Sequence, residues 1–186
     1  KPRAGEAPLW DFPEGTLCRR EVAAHVVADT LGWPLVPPTV LRDGPHGEGS
    51  VQLFVEFDPA RHYLTMREER PDDFRRIALF DVVANNADRK SGHCLLSTDA
   101  RLFVIDHGLC FHDEPKLRTV LWDFDGEPLP TRTREDLSAP RPPNSARRSA
   151  LPLQPLRNPS SHRNRSGRSI SRARKSGRFR MKRTAV

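Results

Sequence analysis

Two carboxylates 18 positions apart stand in surroundings suited to moving a phosphoryl group: Asp88 in Asn85-Asn86-Ala87-Asp88-Arg89-Lys90-Ser91-Gly92-His93, and Asp106 in Phe103-Val104-Ile105-Asp106-His107-Gly108. Phosphoryl transfer is achieved largely by positioning and charge, with one carboxylate orienting the attacking hydroxyl and another holding magnesium against the phosphates. Between them, Cys94-Leu95-Leu96 and Leu102-Phe103-Val104-Ile105 flank the turn-rich Ser97-Thr98-Asp99-Ala100-Arg101, which predicts a β-hairpin. A turn centred between Asp99 and Ala100 sets His93 opposite Asp106, about 5 Å apart between Cα atoms. A carboxylate, an imidazole and a second carboxylate then share one end of the hairpin, where a divalent cation and a triphosphate can be held. A slip of one residue would turn His93 to the other face.

Several elements must position these groups. From Thr16 to Leu31 the apolar residues Val22, Ala23, Val26, Val27 and Leu31 recur at helical spacing, with Thr16 as N-cap and Gly32 as the stop. Thr39-Val40-Leu41 and Val51-Gln52-Leu53-Phe54-Val55 read as strands joined through the turn-rich residues Asp43 to Gly49. Pro71 and Asp72 open a second helix running to about Ala84, apolar on most sides and therefore expected to be buried. Trp10, Trp33 and Trp122 are read as packing residues.

The formal charge of +7 and pI near 10.0 suggest a nucleic-acid partner, but the charge is unevenly spread. Residues 1–130 carry 15 Lys and Arg against 22 Asp and Glu, a net of −7, and residues 131–186 carry 16 against 2, a net of +14. This last stretch, rich in Arg, Ser and Pro, is expected to be a disordered tail because it holds too little apolar surface to offset chain entropy. Its composition is also what an altered reading frame in a GC-rich gene yields. Cys18, Cys94 and Cys110 form no C-x-x-C pair, which argues against a zinc site or disulfide framework and fits a reduced, cytoplasmic setting. No run of 18 apolar residues and no charged-then-apolar leader is present in the sequence.

The segments Thr16 to Gly32, Leu35-Val36-Pro37-Pro38-Thr39 and Gly49 to Glu56, the Asn-x-Asp-Arg of Asn86 to Arg89 and the Ile-Asp-x-Gly-Leu of Ile105 to Leu109 resemble the type II phosphatidylinositol 4-kinase pattern. Residues 1 to about 130 are similar throughout to actinobacterial proteins of the phosphatidylinositol 3-/4-kinase-like family. The resemblance implies an α+β fold, a protein-kinase-like bilobal core truncated at both ends, with the tail from 131 onward outside it. It implies ATP and magnesium as cofactors and a hydroxyl-bearing substrate that is a lipid, a protein or a small molecule. Lys1 would be the lysine that contacts the phosphates, Glu21 its ion-pair partner, and Phe54-Val55-Glu56 the hinge strand that receives adenine. Asp88 would be the catalytic aspartate, Asp106 the principal magnesium ligand, His93 a second metal ligand where the family has Asn, and Asn86 part of the cofactor-binding set. The phosphate-covering strands that precede the lysine are absent from the sequence, as is the helical remainder of the large lobe.

Two other readings compete. A nucleotide-binding pseudokinase or inactive fragment would share these motifs without transferring phosphate, since His93 is a poorer magnesium ligand than an amide oxygen. A basic nucleic-acid-binding protein would act through its tail, which binds polyanions non-specifically with a steep salt dependence but offers only Phe179 for stacking. Glu21 alone reads as a solvated residue beside Arg19 and Arg20, His25 and His112 as ordinary histidines, and Lys1, as a terminal residue, is expected to fray.

Overall fold

The computed structural model describes residues 1–139, which fold into a mixed α+β arrangement. Helix α1, Leu17–Thr30, begins where expected with Thr16 as its N-cap residue, but the Thr16 side chain makes no capping bond: its hydroxyl donates to the Pro13 carbonyl at 2.7 Å. Glu6 takes the role instead, its carboxylate accepting the N–H groups of Leu17 at 3.1 Å and Cys18 at 2.7 Å. That places a negative charge at the positive end of the helix. Gly32, at φ +70°, ends it as expected, with the Trp33 N–H bonded to the Ala28 carbonyl at 2.9 Å and the Gly32 N–H to Asp29 at 3.0 Å.

The buried stripe of α1 is Cys18, Glu21, Ala24 and Ala28 rather than the expected valines, and Val26 is 39% exposed. The first turns of the helix lie against the backbone after Asp106. At Gly108 an added Cβ would already meet Leu17 Cβ at 3.5 Å and Glu21 Oε1 at 3.6 Å.

Strands β1, Thr39–Gly44, and β2, Gly47–Gln52, pair antiparallel from Thr39 with Gln52 to Gly44 with Gly47, leaving Pro45 and His46 as the loop. The strands therefore run into the glycines read as turn, and β2 stops before Leu53. Gly49 owes its identity to a close approach, since a Cβ there would lie 2.6 Å from the Lys1 carbonyl oxygen. The first residues pair along β2: Pro2 bridges Gly49, the Ser50 N–H donates to the Lys1 carbonyl at 3.0 Å, and the Lys1 α-ammonium donates to the Ser50 carbonyl at 2.8 Å. Lys1 is thus held at both ends of its backbone rather than frayed.

A short helix α2, Tyr63–Met66, precedes α3, Pro71–Ala84, which starts with Pro at its first turn and ends at Asn85 in the left-handed region, φ +48°. Phe74, Ile77, Phe80, Asp81 and Ala84 are buried, but Val82 is 57% exposed, so α3 is two-faced and not fully enclosed. Strands β3, Cys94–Leu96, and β4, Leu102–Val104, form the expected second hairpin. The core gathers Ala24, Ala28, Trp33 and Leu35 with Tyr63, Met66, Phe74, Ile77 and Phe80 and the strand residues Cys94, Leu102 and Val104. Trp33 packs there, whereas Trp10 lies on the surface, 93% exposed, with the Lys116 ammonium 5.1 Å from its ring centroid, and Trp122 is also exposed.

Cys18, Cys94 and Cys110 are free and buried. Burial pushes the thiols of Cys94 and Cys110 up to about 12. Where the sequence suggests a disordered tail from residue 131, the chain forms helix α4, Thr131–Ser138, tied back by the Trp33 indole N–H donating to Asp136 at 3.0 Å. The rest of the expected tail lies outside the described residues. No described helix is long and apolar enough to cross a membrane.

Candidate active site

The hairpin that carries Asp106 is closed by a three-residue loop. The Ser97 N–H donates to the Arg101 carbonyl at 2.9 Å, and Ala100 sits in the left-handed region at φ +61°. Loops of this kind suit the right-handed twist of the strands. The turn is centred on Asp99, and Cys94 pairs with Val104 and Leu95 with Phe103. This register differs by one residue from the expected one. His93 therefore faces Ile105, whose N–H donates to the His93 carbonyl at 3.1 Å.

The two side chains still meet, with His93 Nε2 3.5 Å from Asp106 Oδ2. Both residues have left the strand geometry: His93 closes a 3-10 turn, Ser91–His93, and Asp106 adopts φ +64°. Departure from the ladder compensates for the slipped register.

On its other oxygen Asp106 pairs with the Lys1 ammonium. The same ammonium lies 2.5 Å from Glu21 Oε1, and Glu21 Oε2 accepts the N–H of His107 at 3.0 Å. Glu21, 3% exposed, is a buried carboxylate whose charge is matched by Lys1 and by a backbone donor. Burial disfavours the charged form of Lys1, but its hydrogen bonds and charge interactions with Asp106 and Glu21 outweigh this and raise it above the ordinary lysine range. Burial likewise opposes ionisation of Asp106, yet Lys1, His93 and Lys90 hold its carboxyl below the ordinary range. Burial, against the pull of Asp106, pushes His93 down, so the imidazole is neutral at pH 7.

Asp88 follows the αL turn that ends α3. Its N–H donates to the Asn86 side-chain oxygen at 3.0 Å and its Oδ2 lies 2.8 Å from the Lys90 ammonium. Lys90 also acts electrostatically on Asp106, and the neutral His93 lies within electrostatic reach of both aspartates. Asn86, expected to touch the cofactor, is fully buried. Its amide nitrogen donates to Asp81 at 2.9 Å, so it shapes the loop from beneath. Asn85 braces the same loop, donating to the carbonyls of His112 at 3.0 Å and Glu114 at 2.7 Å.

Phe54, Val55 and Glu56 form an extended connection after β2 rather than a strand, with Phe54 83% exposed. The Glu56 carbonyl accepts the Thr98 N–H at 3.2 Å, and Phe57 bridges Ser97, so this connection touches the tip of the β3–β4 hairpin. Among the described residues no protein hydrogen bond engages the backbone of Phe54 or Val55. Lys1, Glu21, His93 and Asp106 are in direct contact, Asp88 joins them through Lys90, and the 54–56 segment stands apart from that cluster.

The sequence reading overlooked a buried layer under these loops: Asp81, Arg89, His107 and Thr119. Arg89 binds Asp81 at 2.8 Å, and Thr119 donates to the other Asp81 oxygen at 2.9 Å. An aspartate among the apolar residues of α3 was the available signal, because a lone acid on a buried helix face requires a partner. Lys90 was also missed, though it stands two residues after Asp88.

His107 is fully buried, and burial together with the charges of Arg89, Lys1 and His93 holds it well below the usual histidine range. A depressed histidine contributes stability above its unfolded value near 6.5, and that contribution is lost as pH falls. His93 acts in the same direction. We expect the urea midpoint to drop between pH 7 and pH 5, and His107→Asn to flatten that slope. An identical slope in the variant would rule out His107 as the cause.

A cavity of about 360 Å³ lies elsewhere, between the outer face of α3 and the segment containing Trp122 and Phe124. None of Lys1, Glu21, Asp88, His93 or Asp106 lines it. Among the described residues no group of three or more His, Cys, Asp or Glu side chains is arranged to hold a metal ion.

No protein-family profile matches the sequence. The chain is 41% identical over 164 residues to Protein Rv2133c of Mycobacterium tuberculosis, across 69% of this chain and 59% of that protein. It is 32% identical over 128 residues to phosphatidylinositol 4-kinase gamma 4 of Oryza sativa subsp. japonica, across 59% of this chain and 22% of that protein. Phosphatidylinositol 4-kinase gamma 3 of Arabidopsis thaliana is 28% identical over 151 residues, across 62% of this chain and 26% of that protein. The chain spans less than two thirds of the length of each, and its similarity to the plant phosphatidylinositol 4-kinases is distant.

Proposed function

We propose that the chain carries the catalytic part of an ATP- and magnesium-dependent phosphotransferase of the phosphatidylinositol 3-/4-kinase-like class. In this reading, Lys1, α1 and the β1–β2 hairpin belong to a small lobe, residues 53–57 are the hinge, and α3 with the β3–β4 hairpin opens a large lobe. The observation that carries the reading is the ammonium of Lys1 bridging Glu21, on α1, and Asp106, beyond β4. A lysine so held presents its charge where phosphates can meet it, and the buried Glu21 prevents it from swinging away. The distant similarity to plant phosphatidylinositol 4-kinases favours the same class.

The residues fit magnesium in the way this ion is usually bound in nucleotide sites, by one or two carboxylates together with phosphate oxygens and water. Asp106 supplies the hard oxygen donor, half exposed, and neutral His93 leaves its second oxygen loosely engaged at 3.5 Å. When bound, magnesium would neutralise phosphate charge. Asp88 would orient the acceptor hydroxyl and take its proton as the oxygen attacks the terminal phosphorus and the bond from that phosphorus to the bridging oxygen breaks, ADP leaving, while Lys90 beside Asp88 offsets negative charge on the transferred group. The unengaged backbone of Phe54 and Val55 would bond the adenine edge. The acceptor is any hydroxyl that reaches Asp88, be it of a lipid, a protein or a small molecule.

The test is calorimetric titration with ATP, with and without magnesium, on the chain and on Glu21→Gln. Magnesium-dependent binding weakened about 10- to 100-fold by the variant is expected, the loss of roughly one charge-assisted hydrogen bond. Binding that ignores both magnesium and Glu21 would overturn the reading. Binding without turnover would favour a nucleotide-binding pseudokinase.

A further inference from the structure

One side chain, Arg89, touches both neighbours of Asp106 and the helix beneath the Asp88 loop. The Arg89 guanidinium meets Asp81 on α3 through Nε at 3.0 and 3.1 Å and Nη2 at 2.8 Å, the Ile105 carbonyl through Nη1 at 2.9 Å, and His107 Nε2 through Nη2 at 2.8 Å. Ile105 and His107 are the two neighbours of Asp106, and Arg89 itself follows Asp88. Its own N–H is fixed by the Arg118 carbonyl at 3.0 Å, which also belongs to the strap bonded to Asn86. Arg89 and Asp81 side chains are both fully buried, so neither reaches a substrate.

We propose that Arg89 is a positioning residue that fixes the placement of Asp88 relative to Asp106, an inference that rests on the phosphotransferase reading for its catalytic consequence. By gripping the residues on either side of Asp106 it holds that aspartate in its left-handed conformation, φ +64°, with its carboxylate turned toward Lys1 and His93. Arginine is needed because a planar fork with five donors reaches three partners at once, whereas a lysine ammonium can satisfy the charge of Asp81 but cannot span all three. The contact also defines the state of His107. Arginine only donates, so Nε2 accepts and the proton resides on Nδ1, which has no hydrogen-bond partner in the described structure.

The test compares the full chain with Arg89→Lys and with the double variant Asp81→Asn/Arg89→Gln, which leaves no unpaired buried charge should the lysine variant fail to fold. Two measurements are made: steady-state ATP turnover in magnesium, and ¹⁵N spectra of the His107 ring together with amide exchange over residues 105–108. We expect kcat to fall at least tenfold with KM for ATP within about threefold, His107 to lose its single Nδ1–H tautomer, and exchange at 105–108 to rise while β1 and β2 are unchanged. Turnover and ring state equal to those of the unaltered chain would overturn the proposal. A parallel rise of exchange throughout the protein, which marks a merely structural role, would also overturn it. If the unaltered chain turns over no ATP, the phosphotransferase reading fails by itself. The ring tautomer and local exchange then decide the positioning claim alone, a change confined to His107 and 105–108 supporting it and no such change sinking it.

Discussion

Asp88→Asn should lower phosphoryl transfer by about 10²- to 10⁴-fold while leaving magnesium-dependent ATP binding within a few-fold of the unaltered chain. An asparagine keeps the shape of the side chain and can still accept a hydrogen bond, but it cannot take a proton from an acceptor hydroxyl. The loop itself should not change, because it is held by groups other than the Asp88 carboxylate: the Asn86 side chain accepts the Asp88 N–H, and the Ala87 N–H donates to the Leu109 carbonyl at 2.8 Å. Asp106→Asn should behave differently. Its carboxylate pairs with Lys1 and faces His93, so neutralising it would, on the proposed phosphotransferase reading, remove the hard ligand for magnesium and free Lys1 to pair with Glu21 alone. Nucleotide binding should lose its magnesium dependence, and turnover should fall with it. The contrast is read by pairing calorimetry with an assay of ADP release. Equal loss of binding in both variants would remove the separate roles assigned to the two aspartates, and full turnover in Asp88→Asn would remove Asp88 from the chemistry.

The parts of this arrangement that rest on local chemistry were legible in the sequence. The apolar period and terminal Gly32 of α1, Pro71 at the start of α3 and the turn residues between Leu96 and Leu102 all specify their elements within a few neighbouring positions. What the sequence does not display is how one element meets another. The register of the β3–β4 hairpin turned on whether its loop held two or three residues, and Ala100, an ordinary residue in a left-handed conformation, carries no glycine-like signature of that choice. The buried face of α1 was misplaced because its valines carry the apolar signal, while the buried surface uses Cys18, Glu21, Ala24 and Ala28. Gly49 looked like a turn glycine because the segment that crowds it, Lys1-Pro2, is distant in sequence. The charges divide the same way: Asp88 and Asp106 stand out by motif, whereas the partners that hold the site together lie far off in sequence, 105 residues away for Lys1 on Asp106 and 38 for Thr119 on Asp81.

Asp81→Ala should cost about 3–5 kcal/mol of stability, the range expected when one member of a buried ion pair is removed and the other is left unpaired. Asp81 is inaccessible to solvent, and its two oxygens take the Arg89 guanidinium, the Asn86 amide at 2.9 Å and the Thr119 hydroxyl at 2.9 Å. Alanine would strand an arginine that cannot shed its proton, together with an amide and a hydroxyl, among buried groups. For a domain of this size the loss corresponds to a fall in melting temperature of roughly 10–20 °C. Exposed carboxylates provide the control. Glu69, paired with Arg61 at the surface at 2.8 Å, should cost less than about 1 kcal/mol when changed to alanine. The double variant Asp81→Asn/Arg89→Gln should recover much of what the single change loses, because neither partner is then a charge without a counterpart. Chemical denaturation of the four proteins measures the free energies, and thermal unfolding the melting temperatures. A loss at Asp81 no greater than that at Glu69 would mean that the buried pair does not hold the loops in place, and would remove the physical basis for Arg89 as their common anchor.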